Sequence, residues 1–144
     1  MNVKFLQDRH WYAALLLATG FWILYGFFIS PLRFNNIFEP LNVFLLSVLL
    51  YPIVEEFVFR GVVQEYFTRQ ARFKANFLGI SLANIITSVL FAASHLVNQE
   101  PFWALLTFFP SLIFGYFKDR HNNLLSCISV HIFYNLGFFV LMAK

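Results

Sequence analysis

This sequence contains very little cysteine and few charged residues. Cys127 is the single cysteine, so an internal disulfide and a zinc site built from cysteines are both excluded. Only 12% of the residues are charged, whereas 60% are hydrophobic and 21% are aromatic. A soluble domain of 144 residues needs more polar side chains than this to cover its surface. The composition therefore predicts an integral membrane protein that is surrounded by lipids.

Five apolar segments divide the chain, and Pro31, Pro40 and Pro101 lie in the connections between them. The segments cover approximately residues 11–29, 41–59, 77–97, 102–117 and 124–142. A membrane-spanning helix needs about 20 apolar residues, and all but the fourth segment are close to that length. The fourth segment is shorter and contains Pro110, which predicts a kink or a tilt. We therefore expect an all-α, polytopic transmembrane helix bundle of about five spans, forming one domain over residues 1–144.

The basic residues indicate how such a bundle is oriented. Residues 64–74 mix charged and aromatic side chains, which predicts an amphipathic juxtamembrane continuation of the second helix. With five spans, one side of the membrane holds Lys4, Arg9, Arg69, Arg72, Lys74, Lys118 and Arg120, and the other holds Arg33 and Lys144. The positive-inside rule then predicts a cytoplasmic N-terminus. The expected location is a bacterial or archaeal plasma membrane. No basic stripe interleaved with stacking aromatics is present, so nucleic acid is not an expected partner, and nothing in the sequence indicates an oligomeric state.

Ionisable residues inside apolar segments are costly and usually functional, and the second segment carries three of them. Glu56 and Arg60 are four residues apart with the acid first, which favours an ion pair on one helix face. Glu55 lies about 100° round the helix from Glu56, so Arg60 can neutralise Glu56 while Glu55 faces elsewhere. A carboxylate in a dry site holds a proton more strongly than in water, which suits a general base. The alternative is that both acids lie at the membrane interface and only pair with Arg60.

The third segment carries a polar stripe that includes a histidine. The stripe steps by four and three residues through Asn84, Ser88, Phe91, His95 and Asn98. This spacing places the stripe on one helix face, which we expect to point into the bundle. His95 is therefore a candidate site residue, although a histidine in a core can also be purely structural.

His131 and Asn135 lie four residues apart in the fifth segment and complete the candidate site. Together they can donate two hydrogen bonds to one point, as a developing oxyanion requires. The same two side chains can instead bond neighbouring helices. Cys127 lies one turn earlier on the same face and is expected to be an inert core residue. Gly115 and Gly137 are expected to let helices approach closely.

Three short motifs at these residues resemble one known family. The stretch from Glu55 to Gly61, EEFVFRG, is similar to the family's EExxxR motif. The stretches FAASH, ending at His95, and HIFYN, running from His131 to Asn135, are similar to its FxxxH and HxxxN motifs. The family is the CPBP group, also called Abi, which contains CAAX-type prenyl endopeptidases and bacteriocin-processing or immunity proteins. The resemblance covers a catalytic core over about residues 41–142. One apolar segment precedes the first motif, whereas well-studied members have more.

The resemblance implies a glutamate-dependent intramembrane endopeptidase that needs no cofactor. Glu55 with His95 would activate the attacking water, and His131 and Asn135 would form the oxyanion hole. Two supporting residues would hold the shape and charge of the site, Glu56 and Arg60. The implied substrate is a membrane-anchored protein or peptide, cleaved in C-terminal processing or sorting.

Two other functions stay open from the sequence. Glu55, His95 and His131 form an alternative zinc ligand set, since two histidines and one glutamate is a known catalytic combination. Against zinc, the sequence has no HExxH motif, and Asn135 and Arg60 would have no role. The other alternative is a non-enzymatic membrane immunity or binding protein, or a proton-linked carrier component, that uses the same groups for recognition.

Overall fold

A computed structural model describes residues 4–28, 40–73 and 75–141 of the chain. Within these residues the chain is almost entirely helical, as predicted. The helices are α1 (Arg9–Phe28), α2 (Leu41–Thr68), α3 (Leu82–His95), α4 (Pro101–Leu106), α5 (Phe108–His121) and α6 (Leu125–Leu141). Short 3-10 turns form at Lys4–Gln7 and Ala71–Phe73. The expected end of the first span at Ile29, Ser30 and Pro31 lies outside the described residues, as do Arg33, Lys74, Met142 and Lys144.

Two of the described helices are long and apolar enough to cross a membrane, by length and composition alone. They are α1, with 20 residues, and α2, with 28 residues. Shorter apolar helices cover Leu82–His95 and Leu125–Val140. The predicted total of about five spans and the cytoplasmic N-terminus therefore stay predictions.

Helix α2 joins the second apolar segment to the first five residues of its predicted amphipathic continuation, 64–68, and ends at Thr68. It begins after Pro40 and contains two π-helical turns, Leu45–Leu50 and Phe57–Gln64. In a π-turn each N–H bonds to the carbonyl five residues earlier, and the N–H of Tyr51 does so with Leu46. Pro52 follows directly and has no N–H to donate. The sequence did not predict these wider turns.

By their packing, the residues divide into two compact units. The first unit comprises residues 1–54 and 128–144, and the second unit comprises residues 55–127. The divisions fall inside two helices, between Val54 and Glu55 in α2 and between Cys127 and Ile128 in α6. The single domain over residues 1–144 stays a prediction.

In the first unit, α1 packs on the part of α6 that follows residue 127. The indole N–H of Trp11 donates to Ser129 Oγ at 3.2 Å, and the Tyr134 hydroxyl donates to the Ala14 carbonyl at 2.9 Å. A Cβ atom at Gly137 would overlap the indole ring of Trp22. The predicted role of Gly137 in close helix approach is therefore confirmed.

In the second unit, α3 packs on α5 through a glycine. The side-chain amide of Asn84 donates to the Leu112 carbonyl at 2.9 Å, and a Cβ atom at Gly115 would overlap that amide. The prediction for Gly115 is therefore also confirmed. Ser81 caps the start of α3, because its hydroxyl accepts from the N–H of Asn84 at 3.0 Å.

One detail of the second unit differs from the prediction. The third apolar segment does not begin as a helix at residue 77. Instead β1 (Asn76–Phe77) and β2 (Ile80–Ser81) form an antiparallel hairpin, whose turn has positive φ angles at Leu78 and Gly79.

The fourth apolar segment is interrupted at Thr107, between α4 and α5, three residues before Pro110, which agrees with the kink predicted for this segment. Pro110 lies in the first turn of α5, where a helix does not need the missing N–H.

Candidate active site

The predicted ion pair between Glu56 and Arg60 forms in the second unit. Arg60 Nε lies 3.1 Å from Glu56 Oε2, and both side chains are 0% exposed. Removing two charges from water costs several kcal/mol per ion, and the pair alone does not fully offset this. Further hydrogen bonds are therefore needed to hold these charges in place.

Arg60 obtains those bonds from α5. Its Nη2 donates to the Ser111 carbonyl at 2.9 Å and also to the Ser111 hydroxyl. Its Nη1 lies 3.5 Å from Gln64 Oε1, a weak contact at that distance. The planar guanidinium uses several of its fixed donors at once, which fixes its orientation. The result is a rigid cationic centre between α2 and α5.

Gln64, which is also buried, forms a second set of hydrogen bonds between α2 and α5. Its Nε2 donates to the Gly115 carbonyl at 3.0 Å and to Asp119 Oδ1 at 2.7 Å. Asp119 Oδ2 in turn accepts from the Ser81 hydroxyl at 2.6 Å. This network ties α2, α5 and the start of α3 together around Arg60.

Four residues of this network are not predicted as site residues from the sequence: Gln64, Ser111, Asp119 and Ser81. Only Gln64 had a usable signal, since it continues the spacing of four residues from Glu56 and Arg60. In an α-helix each step of four residues drifts about 40° round the axis. The π-helical turn Phe57–Gln64 is wider, so residues four apart stay closer to one line. Glu56, Arg60 and Gln64 are all buried.

Glu55 begins the second unit and differs from Glu56 in exposure. It lies in the α-helical part of α2, Tyr51–Glu56, and is half-buried, whereas Glu56 is completely buried. The two adjacent acids therefore meet different surroundings, as the helical spacing predicts.

His95 is the last residue of α3, and its ring is oriented by its own helix. Nδ1 lies 2.9 Å from the Phe91 carbonyl and 3.5 Å from Ser94 Oγ. Because a carbonyl oxygen only accepts, we assign the proton of the neutral ring to Nδ1. Nε2 then carries the lone pair and is able to accept a proton.

Phe91 brings the first two motifs into contact within the second unit. Its ring centroid lies 5.6 Å from the guanidinium carbon of Arg60 and 4.5 Å from the ring centroid of His95. The Phe59 ring packs edge-on against it at 5.0 Å. A cation over an aromatic face is attracted to it, so Phe91 is both a spacer and an anchor between Arg60 and His95.

The polar stripe on α3 faces the interior over most of its length. Asn84, Ser88 and Phe91 are buried, and the Ser88 hydroxyl donates to Asn84 Oδ1 at 3.0 Å. The prediction is wrong for Asn98, because α3 ends at His95 and Asn98 is exposed in the following turn.

The third motif lies on α6 within the first unit. His131 is buried, and Asn135 is half-buried. The side-chain amide of Asn135 donates to the Ser47 carbonyl of α2 at 3.0 Å. Cys127 belongs to the second unit and is fully buried, with its thiol donating to the Leu124 carbonyl at 3.1 Å.

Residues 37–137 match the family described as Type II CAAX prenyl endopeptidase Rce1-like. The match covers well over half of the chain and includes all three motifs. The chain belongs to this family. Neither the curated proteins nor the solved structures contain a significant match to it.

Membership of the family establishes the general class of the protein. At the family level it is a membrane endopeptidase, which agrees with its apolar helices. The three motifs that resemble the family in sequence are thus carried by α2, α3 and α6.

A metal site needs several donor side chains close together. Within each unit, no three His, Cys, Asp or Glu side chains of the described residues gather in this way. The zinc alternative is therefore a matter for direct measurement.

Proposed function

We propose that the protein is a glutamate-dependent endopeptidase that cleaves membrane-anchored proteins or peptides, in C-terminal processing or sorting. The family name, with its CAAX prenyl endopeptidase activity, supports a lipid-anchored substrate cut near its C-terminus. The apolar helices support a reaction in or beside the bilayer.

The observation that carries the proposal is the difference between the two adjacent acids. Glu56 is buried on Arg60, and Arg60 is held by Ser111. Glu55 is the acid of the motif that keeps accessible surface. The proposal places this surface in contact with water, from which Glu55 would take a proton, whereas a buried carboxylate bound to a guanidinium serves to fix structure.

In the proposed reaction, Glu55 takes a proton from a water molecule whose oxygen attacks the scissile carbonyl carbon. His95 assists through Nε2, which its Nδ1 contact leaves as the accepting nitrogen. The proton then passes to the amide nitrogen as the C–N bond breaks, so that a carboxylic acid and an amine are formed, and transfer of the acid's proton to the amine gives the carboxylate and ammonium products. Each such positioned group typically contributes a factor of about 10² to 10⁴ in rate.

We assign the developing oxyanion to His131 and Asn135. Preorganised donors aimed at this oxygen are usually worth a factor of about 10² to 10³ in kcat each. The Asn135 amide already donates one hydrogen to Ser47, and the same nitrogen carries a second.

The test uses purified protein in lipid nanodiscs with membrane-anchored peptides, prenylated and unprenylated, and identifies products by mass. We expect Glu55→Gln to lower the rate by about 10³-fold or more, with an unchanged melting temperature. A chelator-sensitive activity with stoichiometric zinc would replace this mechanism with the zinc alternative. If no peptide is cleaved, and the Glu55→Gln variant binds these peptides as the wild type does, the result would favour the binding or immunity protein.

A further inference from the structure

The carbonyl group of Ser47 has an unusual position in α2. It lies in the π-helical turn Leu45–Leu50, and it accepts a hydrogen bond from Asn135 Nδ2 at 3.0 Å. Both residues belong to the first unit. A carbonyl inside a helix normally accepts from a backbone N–H of the same helix.

The sequence around Pro52 explains why this carbonyl accepts a side chain instead. In an α-helix, Ser47 would accept from the N–H of Tyr51, but that N–H bonds to Leu46. In a π-turn, Ser47 would accept from residue 52, and Pro52 has no N–H. The Ser47 carbonyl therefore receives no hydrogen bond from either regular helical donor, and it accepts one from the Asn135 amide instead.

The bond to Ser47 also decides which way the Asn135 amide faces. A carbonyl oxygen accepts and does not donate, so the NH₂ group of Asn135 must face it. The second hydrogen on the same nitrogen then points in a different direction. An oxyanion hole needs a donor there, and a flipped amide would present its oxygen and repel the developing charge.

We propose that Pro52 is a positioning residue for Asn135. By withholding an N–H from Ser47, it reserves the Ser47 carbonyl for the Asn135 amide and fixes the donor side of that amide. The catalytic consequence rests on the proposed function of Asn135 in the oxyanion hole. The hydrogen-bond exchange itself does not, and it can be tested separately.

The first arm of the test restores the missing N–H. Pro52→Ala supplies a donor at position 52, and we expect kcat to fall about 10- to 100-fold with little change in KM, since a small displacement of a catalytic group has effects of this size. In an Asn135→Ala background the same substitution should cause almost no further loss. Losses that multiply in the double variant would show that Pro52 acts elsewhere, and would overturn the proposal.

The matched control separates the N–H from the proline ring. Lactic acid placed at position 52 by amber suppression resembles alanine but has an ester oxygen where alanine has its N–H. We expect this variant to keep close to wild-type kcat. Equal impairment of the lactic acid and alanine variants would mean that the ring, not the missing N–H, is what matters.

The second arm needs no catalysis. In ¹⁵N-asparagine-labelled protein, the side-chain NH₂ resonances of Asn135 are identified by their loss in Asn135→Ala. We expect them to shift in Pro52→Ala and to stay in place in the lactic acid variant. Unchanged resonances in Pro52→Ala would overturn the inference. If the alanine variant fails to fold, the wild type and the lactic acid variant must still share these resonances.

The two arms distinguish a failure of the Pro52 inference from a failure of the proposed function. Shifted resonances in a protein that cleaves no peptide would leave the Pro52 inference standing and remove the proposed function. Normal peptidase activity in the wild type, with resonances that do not shift in Pro52→Ala, would leave the proposed function standing and overturn the Pro52 inference.

Discussion

Arg60 reaches from α2 to the backbone of α5, where its Nη2 donates to the carbonyl of Ser111 at 2.9 Å while its Nε holds Glu56 at 3.1 Å. The buried guanidinium is stabilised by both partners. The contribution of each partner to the free energy of unfolding can be measured by a separate substitution.

Replacing Glu56 with glutamine should destabilise the protein strongly. Arg60 would remain buried without a negative partner, and breaking a buried pair in this way costs about 3–5 kcal/mol. Urea unfolding in mild detergent, followed by circular dichroism, measures the change. The double variant Glu56→Gln/Arg60→Met removes the stranded charge and should recover part of the loss. A Glu56→Gln protein as stable as the wild type would show that the pair contributes little.

The Ser111 hydroxyl should contribute less than the pair. Ser111→Ala removes one donor–acceptor contact to Arg60 but leaves the backbone carbonyl in place. A hydrogen bond to a charged group is worth about 1.5–3 kcal/mol, so we expect a loss in that range in the same unfolding experiment. Ser94→Ala is a suitable control because Ser94 is exposed and bonds only within α3 among the described contacts. Equal effects at both positions would contradict the special role of Ser111.

Gly115→Ala should destabilise the second unit through a steric clash. The new Cβ would overlap the Asn84 amide, and this amide is held in place by Leu112 and Ser88. Overpacking of this kind costs about 1–3 kcal/mol. Gly20→Ala is the matched control, since no atom lies within 4 Å of its added Cβ. Alanine in a helix interior is favoured over glycine by about 0.5–1 kcal/mol, so the control should be neutral or stabilising in thermal unfolding.

Glu55 and His95 should act as one unit in catalysis. We expect Glu55→Gln to lower kcat by about 10³-fold or more and His95→Ala by about 10²-fold or more, and the double variant to be little worse than the poorer single variant. Groups that cooperate in one step are strongly non-additive. Single-turnover cleavage of a membrane-anchored peptide measures this. Losses that multiply would indicate that the two residues serve different steps.

Much of the second unit could be anticipated because its signals are local. Two residues four apart share a helix face, so the pairing of Glu56 with Arg60 followed from spacing alone. The stripe from Asn84 to Phe91 followed from the same periodicity. The family was recognisable because three short motifs carry it.

The remaining features depend on contacts between distant parts of the chain. The bonds from Arg60 to Ser111 and from Gln64 to Asp119 join residues more than fifty positions apart, which no spacing rule relates. The short hairpin before α3 lies inside an apolar stretch of sequence, so that its strands are not distinguished from the following helix by hydropathy. Gly79 permits the positive φ angle in its turn. Pro110 predicted a kink in the fourth segment but not the position of the break. The chain is interrupted three residues earlier, at Thr107, so that the proline lies in the first turn of α5, where it is well tolerated.

The burial of Cys127 has a practical consequence for determining topology. A polar maleimide should leave this thiol untouched in the folded protein, so a newly introduced cysteine will report its own location. Ala71→Cys and Gln99→Cys replace exposed residues and, with five spans, would face opposite compartments. A reagent applied outside intact cells would then modify position 99 and spare position 71, and the reverse pattern would invert the predicted orientation.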